Sequence, residues 1–262
     1  MSSEAAITIH QLSKSYQESG QRHEIFNDLN LQVGIGEFIV LLGRSGSGKS
    51  TFLNLVSGID QPDSGEIIIN GIQLTGLSEH ERTLFRRHHI GFVFQAYNLI
   101  STLTVGENLL LPLELIKRTS RQERDTVAKL LDQLDLADRF DTYPDRLSGG
   151  EQQRVAIARA LIHDPDVILA DEPTGNLDLD TGQQVLELFD TLVKKAGKTL
   201  IMVTHSPEVL GKADRIFSIR NKSLVIAKDG VYAADLSGTG AAIAKDSVYA
   251  AGLPGAGAAV EG

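Results

Sequence analysis

Three short runs in this sequence combine residue types that can do chemistry. The first is Gly43-Arg44-Ser45-Gly46-Ser47-Gly48-Lys49-Ser50, a glycine, four residues, then Gly-Lys-Ser. Glycines let a backbone curl until several N–H groups face one anion, and a helix opening at the loop's end aims its positive pole at the same point. In this pattern Lys49 reaches the β- and γ-phosphates of a nucleotide, Ser50 holds Mg2+, and Thr51 follows among the binding residues. The second run, LSGGEQQR at 147–154, begins as a capping box, with Ser148 as the cap and Glu151 returning the bond. A cap needs no glycines. Gly149 and Gly150 would leave that helix end bare of side chains, open to close approach by a second anion. The third run, Val167 to Glu172, is an apolar strand ending in two carboxylates. Ligands bind at the carboxyl edge of a parallel sheet, so Asp171 is placed to meet Mg2+ through water and Glu172 to orient and deprotonate an attacking water.

Such groups need a scaffold that delivers strand ends to one edge. Strands are expected at 7–13, 38–43, 66–71 (closing on an Asn-Gly turn), 90–95, 166–171 and 199–205, with a hairpin over 215–227. Helices are expected from Lys49 to Ser57, from Ser78 to about Arg87, from Ser120 to Leu134 and from Ser148 to Ile162. Three of these open on Ser-x-x-Glu boxes: Ser78 with Glu81, Ser120 with Glu123, and Ser148 with Glu151. Ser206 before Pro207 reads as one further helix start. Strands alternating with helices make this an α/β protein with a mostly parallel sheet. The stretch 96–143 has helical patterns and no good strand, which suggests a helical subdomain inserted between two core strands.

Composition narrows the function classes. The chain has 262 residues and a formal net charge of −9, so it carries no overall basic footprint for nucleic acid. It has no cysteine, which excludes disulfides, thiolate zinc sites and a thiol nucleophile. The N-terminus lacks a basic region followed by a long apolar run, so no signal peptide is expected. The longest apolar stretches, at 38–42 and 109–116, fall far short of the roughly 20 residues that span a bilayer. A role in transport would therefore need other chains to supply the channel.

With these motifs in hand, the sequence resembles the nucleotide-binding subunits of ABC transporters over residues 5–228, with LSGGE standing where the family has an LSGGQ-like signature. The resemblance implies a phosphate-loop NTPase core, an N-terminal antiparallel β subdomain and a helical subdomain over about 96–146. It implies ATP and Mg2+ as ligands and ATP hydrolysis as the activity. It also implies a second copy of the chain, whose signature closes over the ATP held by this one's phosphate loop. Matched position by position, Tyr16 looks like the aromatic that stacks on adenine, and Gln95 like the glutamine that senses Mg2+ and the γ-phosphate. His205 looks like the switch histidine, and Asn176-Leu177-Asp178 like the segment that crosses the dimer interface. No catalytic position is degenerate, so both sites of a homodimer should be active.

Residues 77–112 and DEPTGNLD at 171–178 resemble more narrowly the group of lipoprotein-release, macrolide-export and cell-division ATPases. There, residues 97–103 would lie near the groove that receives a membrane subunit. The implied setting is peripheral, on the cytoplasmic face of the inner membrane, with integral-membrane permease subunits as partners and no nucleic acid. A regulatory ATPase that controls a cell-wall hydrolase across the membrane is the alternative. Beyond the resemblance, residues 229–262 form an Ala/Gly-rich tail with a 17-residue repeat beginning at Lys228 and matching at eleven of seventeen positions. Its composition reads as a flexible tail, with an added strand or a partner-binding segment as the other possibility.

Overall fold

The computed structural model describes residues 5–18, 20–204 and 207–226. The strands in chain order are β1 (Ala5–Glu18), β2 (Gln21–Gly34), β3 (Phe38–Leu42), β4 (Ser64–Ile69), β5 (Ile72–Gln73), β6 (Ile90–Val93), β7 (Val167–Asp171), β8 (Thr199–Val203), β9 (Arg215–Arg220) and β10 (Ser223–Ile226). The α-helices are α1 (Lys49–Val56), α2 (Glu79–His89), α3 (Val105–Leu115), α4 (Arg121–Gln133), α5 (Gly149–Leu161) and α6 (Leu179–Lys195).

Two sheets result. The first is antiparallel in the order β2-β1-β4-β5, and the second runs β10-β9-β3-β8-β7-β6. Within the second sheet every pairing is parallel except β9 with β10. Strand β3 is central and buried throughout, which is why it reads as an unbroken apolar run. Its side chains still alternate. Ile39 and Leu41 join a core with β1, β2, β4 and α1, while Phe38, Val40 and Leu42 join one with α6. Strands β7 and β8 divide their residues between the same two cores. Both short hairpins close on two left-handed residues, Asn70-Gly71 and Asn221-Lys222, the backbone pattern of a type I′ turn.

A third core lies among the helices. Val105, Leu109 and Leu113 of α3 meet Val127 and Leu131 of α4, and Val155 and Ala158 of α5. Helix α5 also sends Ile157 and Ala160 into the α6-side core, so it belongs to both bodies. Its approach to the sheet is set at Gly91, where a Cβ would run into the carbonyl oxygen of Ala160. One side chain longer in β6 and α5 could not lie where it does.

Several sequence expectations are revised. Ser78 and Ser148 form their boxes with Glu81 and Glu151, and Thr104 forms another with Glu107. Ser120 makes no side-chain cap: the Glu123 N–H donates to the Ser120 carbonyl at 3.0 Å, and Arg118 takes the Glu123 carboxylate in two bonds of 3.1 Å through Nε and Nη2. A forked, charge-assisted pair outcompetes a neutral backbone N–H. Strand β6 ends at Val93, so Gln95 lies on the loop beyond it rather than at the strand end. Strand β2 and helix α6, absent from the sequence reading, complete the first sheet and cover the second. Ser206 and the tail 229–262 lie outside the described residues.

Candidate active site

The phosphate loop leaves β3 and enters α1 through Gly48, the residue before the helix, at φ 100. No side chain caps α1, and no acidic residue sits in its first turn, so the helix itself leaves its first N–H groups open to an anion. A Cβ on Gly48 would meet Ile25 Cγ2 at 2.6 Å, so the loop is also packed from behind by β2. Lys49 is only 7% exposed, and its Nζ donates to the carbonyls of Gly43 at 2.6 Å and Arg44 at 3.1 Å. Burial lowers its pKa, against the pull of Glu172 and Asp171, which raise it. Gly46 takes a left-handed φ of 78, and Ser47 N–H donates back to the Arg44 carbonyl at 3.1 Å. The Ser47 hydroxyl is buried without a hydrogen-bond partner, an orphaned donor inside a loop built for an anion.

Ser50 and Thr51 open α1. Ser50 Oγ donates to Asp171 Oδ2 at 3.0 Å, which joins the start of α1 to the end of β7. A hydroxyl and a carboxylate oxygen so placed are hard donors suited to Mg2+. Glu172 follows with φ 46, and its N–H donates to the Val203 carbonyl at 2.9 Å. That left-handed step turns the chain out of the sheet directly after Asp171. Lys49, Ser50, Asp171 and Glu172 are thus gathered at one edge.

Other sequence-predicted residues have neighbours that the sequence did not indicate. Gln95 is tied to Asn176: Asn176 Nδ2 donates to the Gln95 carbonyl at 2.9 Å, and Gln95 Nε2 reaches Asn176 Oδ1 at 3.5 Å. Gly175 makes room, since a Cβ there would lie 2.8 Å from Gln95 Nε2. Tyr16, on β1, donates its hydroxyl to Asp60 Oδ2 at 2.6 Å. Lys14 donates to Asp60 Oδ1 at 2.8 Å and the Gln61 carbonyl at 2.7 Å, with its ammonium 4.8 Å from the Tyr16 ring centre. Burial pushes the Tyr16 phenol up, and the Asp60 bond adds to it. Burial also pushes Asp60 up, but the Lys14 and Tyr16 bonds outweigh it and hold that carboxyl below its usual range. Lys14 and Asp60 were missed by sequence reasoning. The one available signal was Lys14-x-Tyr16, two residues on one face of a strand.

At the second glycine run, Ser148 and Glu151 cap α5. The Ser148 backbone bond is the main reason the Glu151 carboxyl stays below its usual range. The glycines do more than bare the helix end. A Cβ on Gly149 would sit 3.0 Å from the Tyr97 hydroxyl, and one on Gly150 would sit 2.5 Å from Thr181 Cγ2. Both glycines are seats for neighbouring side chains within this chain. His205 lies outside the described residues.

A parallel sheet whose central strand ends in a phosphate loop, with a carboxylate pair beside it and a capped Ser-Gly-Gly helix elsewhere, defines a nucleotide-hydrolysing cassette. The chain belongs to the ABC transporter family, whose model matches residues 26–175. It is 49% identical over 227 residues to an uncharacterized ABC transporter ATP-binding protein of Mycobacterium tuberculosis, covering 87% of this chain and 92% of that one. It is 44% identical over 205 residues to the lipoprotein-releasing system ATP-binding protein LolD of Colwellia psychrerythraea, covering 78% and 80%. Among solved structures it is similar to a dimeric post-hydrolysis state of the ATP-binding cassette MJ0796 bound to ADP and Pi. The TM-score is 0.77 and the identity 40%, over 85% of this chain and 98% of that one. The chain is an ABC transporter ATP-binding subunit that binds ATP with Mg2+ and hydrolyses it. Among the described residues no helix is long and apolar enough to cross a membrane.

Proposed function

We propose that this chain is the motor of a membrane export complex of the lipoprotein, lipid or macrolide-handling kind. It sits on the cytoplasmic face of the inner membrane against permease subunits supplied by other chains. Two copies close head to tail, each phosphate loop facing the other's Ser148–Glu151 run. The observation that carries the hydrolytic part is the Ser50–Asp171 contact of 3.0 Å with Glu172 one residue beyond. Mg2+, when bound, neutralises phosphate charge there. Ser50, Asp171 and Gln95 are the residues that would hold it. Lys49 and the loop from Gly43 to Thr51 hold the phosphates, Tyr16 carries the adenine, and His205 contacts the γ-phosphate. Glu172 orients the water and accepts its proton.

The likeness to LolD favours the lipoprotein-related group. Transmission to the membrane is assigned to α3, α4 and the shared helix α5. Phe92 and Phe94, stacked with centroids 4.1 Å apart, line a groove of ≈ 310 Å³ with Ile100, Pro112 and His163, a fit for a permease segment. The test is Glu172→Gln. The variant should bind ATP, dimerise on a sizing column with Mg-ATP, and turn over at least about 100-fold more slowly. Turnover like the unaltered chain would remove Glu172 from the role of base. Co-purification from detergent-solubilised membranes, with the permease identified by mass spectrometry, tests the export assignment.

A further inference from the structure

The loop that carries Gln95 is held by a residue that no motif singles out. After β6 the chain turns sharply, with Tyr97 N–H donating to the Phe94 carbonyl at 3.3 Å and Asn98 N–H to the Ala96 carbonyl at 2.5 Å. Tyr97 and Asn98 both adopt left-handed backbone, at φ 58 and 52. Asparagine tolerates that region, but a tyrosine there is strained. The strain is opposed from α5. Arg159 donates through Nη2 to the Tyr97 carbonyl at 2.9 Å and through Nη1 to the Asn98 carbonyl at 2.6 Å. One guanidinium thus bridges the carbonyls of both left-handed residues.

Among the described residues no carboxylate pairs with Arg159, so its partners are these two carbonyls. The same turn touches α5 a second time, where the Tyr97 hydroxyl occupies the space over Gly149. Ten residues of rigid helix, about 15 Å, separate the two attachments. The turn is therefore fastened along α5, and α5 begins at the signature run. On the other side, Asn176 holds the Gln95 carbonyl.

We propose that Arg159 is a positioning residue for hydrolysis. It holds the strained 97–98 turn so that Gln95 is presented at one fixed height to the nucleotide site, and it makes any shift of Gln95 a shift of α5 and its Ser148 end. This rests on the reading of Gln95 given above.

The experiment measures steady-state ATP turnover and amide hydrogen exchange across residues 94–99 in the full chain. Arg159→Met, which keeps the stem and removes the fork, should lower kcat about tenfold with KM for ATP within about twofold, and should speed exchange at Tyr97 and Asn98. Arg159→Lys, a single donor point, should fall between. Adding Asn98→Gly to Arg159→Met should restore part of kcat, because glycine takes a positive φ at still lower cost than asparagine while the Tyr97 hydroxyl contact over Gly149 is kept. A merely structural arginine would not be rescued there.

Gln95→Ala separates the two readings. If Gln95→Ala lowers kcat while Arg159→Met leaves kcat and exchange unchanged, the positioning role is wrong and the Gln95 assignment stands. If Gln95→Ala leaves kcat unchanged, the Gln95 assignment fails and takes this role with it. Loss of kcat in Arg159→Met with a lowered Tm and no recovery from Asn98→Gly would make the residue a packing element only.

Discussion

Replacing Gly150 by alanine sets two effects of opposite sign against each other. In a helix, alanine is favoured over glycine by up to about 1 kcal/mol. In this helix the new methyl would lie 2.5 Å from Thr181 Cγ2, where ordinary contact needs about 3.5 Å or more. Thr181 is β-branched, sits in the first turn of α6, and has its N–H held by Asp178 at 3.0 Å, so it has little freedom to turn away. Overpacking of this kind costs about 1–3 kcal/mol. The net is a loss of about 1–2 kcal/mol, a fall in Tm of roughly 3–6 °C for a body of this size. Thr181→Ser removes the clashing methyl and leaves Thr181 Cβ at 4.0 Å, an ordinary contact. Gly150→Ala with Thr181→Ser should therefore melt within about 2 °C of the unaltered chain. Turnover should not recover with it. In the head-to-tail dimer proposed above, the methyl would still stand at the helix end facing the other copy's nucleotide, so the double variant should remain about tenfold or more slow. Calorimetry and a phosphate-release assay on the same preparations provide both numbers. A single variant that melts higher than the unaltered chain would refute the packing argument. Turnover that recovers along with Tm would refute the anion-approach argument and leave Gly150 as packing alone.

The other expected outcomes concern single side chains. Asp60→Asn, which loosens the Lys14 and Tyr16 anchors, should raise KM for ATP about three- to tenfold with kcat unchanged, and Tyr16→Ala should raise it further; an unchanged KM in both would remove the ring from the adenine site. His163 donates Nε2 to the Ile90 carbonyl at 3.2 Å, its Nδ1 is buried without a partner, and burial lowers its pKa from the ordinary 6.5. The unfolded chain then binds that proton more readily, so the contribution is full above 6.5 and is lost as pH falls from there through the lowered native value. Tm measured from pH 7.5 to 5.5 should drop less in His163→Gln than in the unaltered chain; parallel curves would contradict this.

The cluster proposed as the catalytic edge was legible as a group because each of its parts depends on local order. A phosphate loop needs its glycines, Lys49 and Ser50 in sequence, and a strand must immediately precede it. Asp171 and Glu172 announced themselves by ending an apolar run. What was not legible depends on partners distant in the chain. Lys14, Tyr16 and Asp60 meet across some forty-five positions, and nothing local in the 59–63 loop marks the acceptor. Ser120 with Glu123 has the same local pattern as Ser148 with Glu151, yet Arg118 diverts the glutamate. Strand β2 was missed because Leu29, Leu31 and Val33 keep the period of two but Phe26 lies three residues before Leu29, where Asp28 takes a left-handed φ of 50 and the pairing with β1 shifts register. The glycines of the signature run were recognised, but their contacts with Tyr97 and Thr181 required the third dimension.

The order of strands in the second sheet sets when this machine can exist at all. Strand β3 delivers the phosphate loop within the first fifty residues, but both of its neighbours, β8 and β9, come from beyond residue 198. Chains emerge from the ribosome N-terminus first, and pairings of such long sequence separation form late. The loop is therefore translated long before the sheet that stiffens it. A nascent chain that has not yet released β9 carries every residue of the phosphate loop and lacks one wall of its support, so nucleotide capture becomes a property of the finished core rather than of the motif.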